Sequence, residues 1–494
     1  VIHPSISLNS NNVVSKIQRA LVLQGGGALG AYEVGVIKGL CKKLQEIDEK
    51  KGVGRRCLFD IVAGTSIGAM NAAVFVSNVV KKDKSWTEAA IELERFWKEG
   101  IALKEGTTSS DDILPIGMFR FFPWWKSWIM ESSQKTSSKG PSDEKNMIAK
   151  DLASSEAARR YYSSKEFVLK GNKVFSIKKV RPDNKFLDQS DPAKWIVLND
   201  VPLQSQIDAF GGFPIATRFD KGEPRLLVTA VDIAEGIAVT FDSYKKSDGK
   251  RKTVYYPGRK YGRKKGKEDE DLKPIIIEYE DGITLKQVMA SGTLPESYYA
   301  KEIGGRKFWD GGILSNTPLN ELLYAHRDYW VNVENKEVPD LEIYIVNVHP
   351  STIDVNQMPE QYDEVKDRNN DILYGDRSYN DEFSASLATD YINFITSLKD
   401  LALNCIKDEN EKNVFRKKFE SLKDEKANNT SYTLGEHRKY EDLIKGRFEL
   451  RVIRIEHEYD ARSSTSFKGA DITPQTINKL IDDGENDTKD LVVF

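Results

Sequence analysis

Leu58-Phe-Asp-Ile-Val-Ala-Gly-Thr-Ser-Ile-Gly-Ala-Met-Asn71 is the stretch on which the reading of this chain turns. A short apolar run, Leu58 to Val62, leads straight into Gly64-Thr65-Ser66-Ile67-Gly68, and a segment rich in small residues, Ala69 to Val80, follows with helical character. Strand, sharp turn and helix with a serine at the apex of G-x-S-x-G is the arrangement of a nucleophile elbow. Such a turn presents the Ser66 hydroxyl outward, and flanking glycines remove side chains that would collide across it. The same letters also describe a glycine-flanked turn with a helix-capping serine, because serine is a favoured cap.

A second stretch lies about forty residues upstream. Ala20-Leu-Val-Leu-Gln24 reads as a buried strand and runs into Gly25-Gly26-Gly27-Ala28-Leu29-Gly30. An amphipathic helix follows, with Val34, Ile37, Leu40, Cys41 and Leu44 on one face. Consecutive glycines between strand and helix bare their N–H groups at a positive helix end, which makes an anion site. A serine nucleophile needs such a site for its oxyanion, where one lost donor costs on the order of a hundred- to a thousand-fold in rate. Gly25, Gly27 and Gly30 also satisfy G-x-G-x-x-G, so a nicotinamide dinucleotide fold competes. That fold wants an acid ending the second strand. Here Glu46 and Asp48 sit at the helix end and Asp60 lies in mid-strand, so the dinucleotide reading is the weaker. No Gly-Lys-Ser/Thr follows, which excludes a Walker A loop.

The third piece is Ala290-Ser-Gly-Thr-Leu-Pro-Glu296, then Phe308-Trp-Asp310-Gly-Gly-Ile-Leu-Ser-Asn-Thr-Pro318. With these the chain resembles the patatin-like phospholipases over roughly residues 18 to 350: a glycine-rich loop, a G-x-S-x-G serine and a D-G-G aspartate, in that order. The resemblance implies an α/β fold, a three-layer α/β/α core with a mainly parallel central sheet. It implies a Ser66–Asp310 catalytic dyad without histidine and an oxyanion hole at Gly25, Gly26 and Gly27. Gly30, Gly64, Gly68, Gly311 and Gly312 would support those motifs. It further implies a phospholipid or other acyl-ester lipid substrate, with no cofactor and no metal. One departure is Gln24, which precedes the glycines where plant patatins carry aspartate; glutamine is usual in microbial relatives.

Composition bounds the rest. At 494 residues, a core with appendages is expected. We divide the chain into a flexible, polar lead-in (1–17), the acyl hydrolase domain (18–350) and a mainly helical C-terminal extension with a late strand and a disordered tail (351–494). The net charge of −3 gives no case for nucleic acid. Cys41, Cys57 and Cys405 form neither a disulfide framework nor a zinc motif, so a reduced, cytoplasmic setting is expected, with peripheral membrane contact. No apolar run approaches the roughly 20 residues that span a bilayer.

Two stretches bear on that contact. Ile113 to Met130 crowds Phe119, Phe121, Phe122, Trp124, Trp125 and Trp128 together. It fits a core helix pair, an aromatic lip inserted at a lipid interface, or the wall of an acyl pocket. Residues 243–267 hold eleven Lys/Arg against Asp248 alone, with Tyr244, Tyr255, Tyr256 and Tyr261 interleaved. They fit a solvated hairpin loop or a contact with an anionic membrane surface. Strands are expected at Leu226 to Val231, Ala238 to Asp242, Pro274 to Glu280, Ile303 to Trp309, Leu341 to Val348 and Arg447 to Glu456. Helices are expected at Leu285 to Ser291, Leu319 to Ala325, Glu382 to Ile406 and Glu409 to Leu422, and Asp482 to Asp490 reads as disordered.

Chain order leaves His326 and His349 compatible with a triad, although structural roles are expected for both. A dyad is chemically adequate, with Asp310 taking the Ser66 proton. An aspartate of ordinary pKa is a weak base, so much of the work would fall on the oxyanion loop. Asp367, Asn369 and Asp371 have the spacing that opens an EF-hand loop, but Ile372 replaces the turn glycine and Ser378 the bidentate glutamate, so no calcium site is read there. A rival from another class is a membrane-associated scaffold or regulator with an idle core.

Overall fold

The computed structural model describes residues 17–52, 57–81, 85–102, 201–256, 273–295, 299–359, 362–423, 440–457, 468–469, 472–489 and 491, and the backbone of a hairpin at 167–170 and 173–176. The aromatic run at 113–130 and the basic run at 259–267 lie outside these.

Burial along the first strand sets the layers. In β1 (Ile17–Leu23), Leu21 and Leu23 enter one apolar cluster, while Ala20 and Val22 enter another on the opposite face. A strand buried on both faces is one whose sheet is covered on both sides. After α1 (Gly30–Lys51) come β2 (Ile61–Thr65), α2 (Ile67–Lys81) and α3 (Trp86–Arg95). The hairpin is β3 (Phe167–Lys170) and β4 (Lys173–Ser176), and α4 (Val201–Phe210) follows it. Next are β5 (Arg225–Asp232), β6 (Ile237–Asp242), β7 (Lys252–Tyr255), β8 (Ile275–Glu278) and α5 (Leu285–Ser291). Then β9 (Lys301–Ile303), β10 (Arg306–Asp310), α6 (Leu319–Asp328) and β11 (Asp340–Asn347) complete the part read as the core. Beyond residue 350 lie α7 (Tyr362–Tyr374), α8 (Tyr379–Cys405), α9 (Glu409–Lys423), α10 (Tyr440–Lys445), β12 (Leu450–Glu456) and α11 (Pro474–Asp487).

The main sheet runs β12-β11-β1-β2-β5-β10-β9, with β6 also on β5. Its first five strands are parallel, and β6, β9 and β10 are antiparallel to their partners. Residues of α1, α2, α3 and α5 fill one face and those of α6 the other. This is the mainly parallel α/β/α architecture expected.

One register decides where the chemistry sits. Along β5, β2 ends with Thr65 opposite Thr229, and β10 ends with Asp310 opposite Ala230. Because β6 pairs with Leu227 to Asp232 throughout, β2 and β10 must share the other edge of β5. They run toward each other and stop one residue apart, which delivers Ser66 and Asp310 to the same point.

Several expectations are corrected. Ile303 to Trp309 is not one strand but a tight hairpin, β9–β10, turning at Gly304 and Gly305 with positive φ. The strand at Pro274 to Glu280 exists as β8 but pairs only with β7, outside the main sheet. Asp482 to Asp490 is not disordered through Asp487: it continues α11, which buries Ile477, Leu480, Ile481 and Gly484. Gly484 meets α1 so closely that a side chain there would collide with the Tyr32 carbonyl. The Tyr32 hydroxyl donates to Asp487 at 2.7 Å. Strand β12 extends the sheet beside β11.

The described part of the basic stretch is largely neutralised. Lys246 lies between Asp242 and Asp328, Lys250 pairs with Glu278 and Lys252 with Asp248. Burial pushes the Asp242 carboxyl up, yet Arg225 and Lys246 hold it down at about 2. Tyr244 and Tyr255 spend their hydroxyls on the Glu223 carbonyl and on Asp232.

Candidate active site

Ser66 sits between β2 and α2 with φ +56, in the left-handed region that non-glycine residues avoid. Strain of this kind persists only where the surroundings over-determine it. Here they do. Gly64 and Gly68 approach across the elbow so closely that a Cβ on Gly64 would strike the Gly68 carbonyl, and one on Gly68 the Leu23 carbonyl. The Ser66 N–H donates to Ser291 Oγ at 2.8 Å, and that hydroxyl donates to the Thr229 carbonyl at 2.5 Å. The Thr65 hydroxyl donates to the Ser315 carbonyl at 2.8 Å.

Ser66 Oγ donates to Asp310 Oδ2 at 2.8 Å. The other carboxylate oxygen accepts the Gly312 N–H at 2.7 Å, and the Asp310 N–H is tied to the Thr293 carbonyl. Gly311 lies against the Thr229 carbonyl, leaving no room there for a side chain. Asp310 is buried, and burial raises its pKa to about 7 against the lowering effect of the Gly312 and Ser66 donors. The expectation of an aspartate with an ordinary pKa is therefore corrected: desolvation disfavours the charged form of the Asp310 carboxyl.

The glycine loop lies beside this pair. Gly25 approaches the Ser66 Cβ, and Gly27 has φ +60. The Gly25 N–H donates to the Asn316 carbonyl at 3.2 Å, so of the three expected donors this one is engaged. Among the described residues the N–H groups of Gly26 and Gly27 have no partner. Gly30 begins α1, packed on Ile67 and Trp97, and its carbonyl accepts from Asn71. Asn71 also donates to Glu33 Oε2 at 2.7 Å and accepts from Trp97 Nε1 at 2.8 Å. Burial holds the Glu33 carboxyl well above its usual range, against the lowering effect of the Asn71 donor. This polar knot binds the helix after the glycines to the helix after the elbow.

The histidines are elsewhere. His326 contacts the Pro339 carbonyl at 2.8 Å and the Phe448 ring, at the strand ends opposite Ser66, and burial lowers it to about 3. His349 Nδ1 lies 3.1 Å from Asp371. The hydroxyl of Ser66 is bonded to Asp310 and to neither histidine. No group of three or more His, Cys, Asp or Glu suited to a metal occurs among the described residues.

Sequence reasoning missed Ser291, Asn316, Asn71 and Glu33. Ser291, Asn316 and Asn71 fall inside stretches singled out by their motifs, which was the available signal. Glu33 gave none.

The chain matches the family model of patatin-like phospholipases over residues 21–323, more than half its length. Among solved structures it is similar to VipD from Legionella pneumophila, at 11% identity and a TM-score of 0.29, with 96% of this chain and 66% of that one covered. No curated protein matches it. Among the described residues no helix is long and apolar enough to cross a membrane.

Proposed function

The chain belongs to the patatin-like phospholipase family, and on that premise we propose that it hydrolyses acyl esters of lipids through a Ser66–Asp310 dyad and an acyl-enzyme. The observation that carries this reading is the 2.8 Å bond from Ser66 Oγ to a buried carboxylate whose pKa is about 7. As Oγ attacks the ester carbonyl, its proton passes to Asp310 and the carbonyl oxygen becomes an oxyanion. The Gly26 and Gly27 N–H groups are the donors suited to hold it. Collapse expels the alcohol, which takes the proton back from Asp310. Water, deprotonated by the same carboxylate, then attacks the acyl-enzyme and frees the acid and Ser66.

The substrate class and peripheral contact with an anionic membrane belong to the same proposal. The contact rests on the basic run at 259–267, since Lys246, Lys250 and Lys252 are paired. The rival, a scaffold with an idle core, has no need of a strained serine bonded to a desolvated base.

The test uses the purified chain. It should release p-nitrophenol from medium-chain acyl esters and take a fluorophosphonate label on Ser66. Ser66→Ala should abolish both while leaving the fold intact by circular dichroism. An unlabelled wild type, or an active Ser66→Ala variant, refutes the reading.

A further inference from the structure

The N–H groups of Gly26 and Gly27 are useful only if the loop is held still, and the residues that hold it come from far along the chain. On one flank, Gln24 Oε1 accepts the N–H groups of Val348 and His349, at 2.9 and 3.0 Å. The His349 ring packs behind the loop, its Nε2 3.5 Å from where a side chain on Gly26 would begin. On the other flank, the Ala28 N–H donates to the Gly469 carbonyl at 2.9 Å.

One carboxylate joins the two flanks. Asp371 Oδ1 bonds His349 Nδ1 at 3.1 Å, and its Oδ2 accepts Lys468 Nζ at 2.7 Å. Lys468 is the neighbour of Gly469, and all three side chains are buried. The helix that carries Asp371 ends at Tyr374, whose carbonyl accepts from both Gln24 and Asn316, at 3.2 and 2.6 Å. Asn316 in turn donates to the Gly25 carbonyl. A carboxylate that fixes a histidine's tautomer and ring orientation is a familiar way to set a group that does not itself react.

We propose that Asp371 is a positioning residue for the oxyanion loop, clamping Gly26 and Gly27 between His349 and the Lys468–Gly469 turn. The stretch that failed as a calcium loop then has a role: through Asp371 and the Tyr374 carbonyl, α7 braces the glycine loop. Asp371 touches no substrate. It acts through the loop, where the transition state alone places an oxyanion, so its loss should appear in kcat and spare KM.

The inference rests on the dyad reading, and the experiment separates the two. Wild type, Asp371→Ala, Asp371→Asn and His349→Phe are compared on a soluble p-nitrophenyl ester, with fluorophosphonate labelling of Ser66 and melting temperature measured alongside. Asp371→Ala and His349→Phe should lower kcat about tenfold to a hundredfold, part of the cost of a lost oxyanion donor. KM should stay within about threefold, and labelling should slow in step with kcat. Asp371→Asn keeps an acceptor for His349 and should retain more of kcat than the alanine variant. A folded Asp371→Ala with wild-type kcat overturns the proposal and leaves the dyad standing. Parallel loss of kcat, KM and melting temperature, or failure of both variants to fold, makes the cluster an ordinary core contact and also overturns it. A wild type that neither labels nor turns over removes the dyad reading and this inference together.

Discussion

Replacing Asp310 by asparagine should destroy activity and at the same time stabilise the protein, by an amount that depends on pH in a calculable way. Its folded pKa is about 7, above the ordinary carboxylate value, because burial disfavours the charged form. For a group whose folded pKa is raised, the associated stability is complete below the unfolded pKa and is lost as pH rises through the folded pKa. The relevant window therefore runs from about pH 4 to about pH 7. Above it, holding Asp310 ionised costs about 4 kcal/mol, from a shift of about three units at about 1.4 kcal/mol each. Asparagine is nearly isosteric, keeps an acceptor for the Gly312 N–H and never ionises.

Urea unfolding of wild type and Asp310→Asn, at pH 5 and pH 8, isolates this term, because carboxyls that titrate alike in both proteins cancel. The advantage of the variant should grow by on the order of 2–3 kcal/mol between those two values and level off above pH 7. In wild type, kcat/KM for a soluble ester should rise along a single ionisation near pH 7, since the free enzyme needs the carboxylate as base. A stability difference that is flat from pH 5 to pH 8, with an activity limb near pH 4, would mean that Asp310 is an ordinary solvated carboxylate and would refute the argument.

Two further outcomes follow from the geometry and the charge pattern. Gly68→Ala puts a methyl group against the backbone carbonyls of Leu23 and Gln24, which cannot turn aside, so it should destabilise by about 2–4 kcal/mol in urea unfolding and slow Ser66 labelling; wild-type stability would contradict the close approach. Binding to vesicles should increase with anionic lipid and weaken with salt, and Lys264→Glu with Lys265→Glu should reduce it while sparing soluble-ester hydrolysis; salt-insensitive sedimentation would sink the electrostatic contact.

What the sequence disclosed and what it hid divide along a physical line. Ala20 to Gln24, Leu226 to Val231 and Leu341 to Val348 announce themselves as strands because a sheet covered on both faces is apolar at most positions of its strands. Ser66 and Asp310 are legible as residues in motifs. Their meeting is not, since it depends on β2 and β10 ending at adjacent residues of β5, a register that nothing local in Arg225–Asp232 encodes. Helix α11 was hidden by composition: its acidic outer face reads as a solvated tail, and only Ile477, Leu480, Ile481 and Gly484, at helical spacing, betray the buried side. The pKa of Asp310 is a property of burial, which a motif does not carry. The supports of the glycine loop were hidden for a related reason. Gln24, Asn316 and Ala28 bond to the carbonyls of Tyr374 and Gly469, and a backbone carbonyl has no letter of its own. A residue held by such a group looks like any polar residue until the chain brings its partner back from hundreds of positions away. A nucleophile must be a particular side chain, so its sequence betrays it. The backbone that orients it can be braced by whatever carbonyl the fold delivers, and only the fold reveals which.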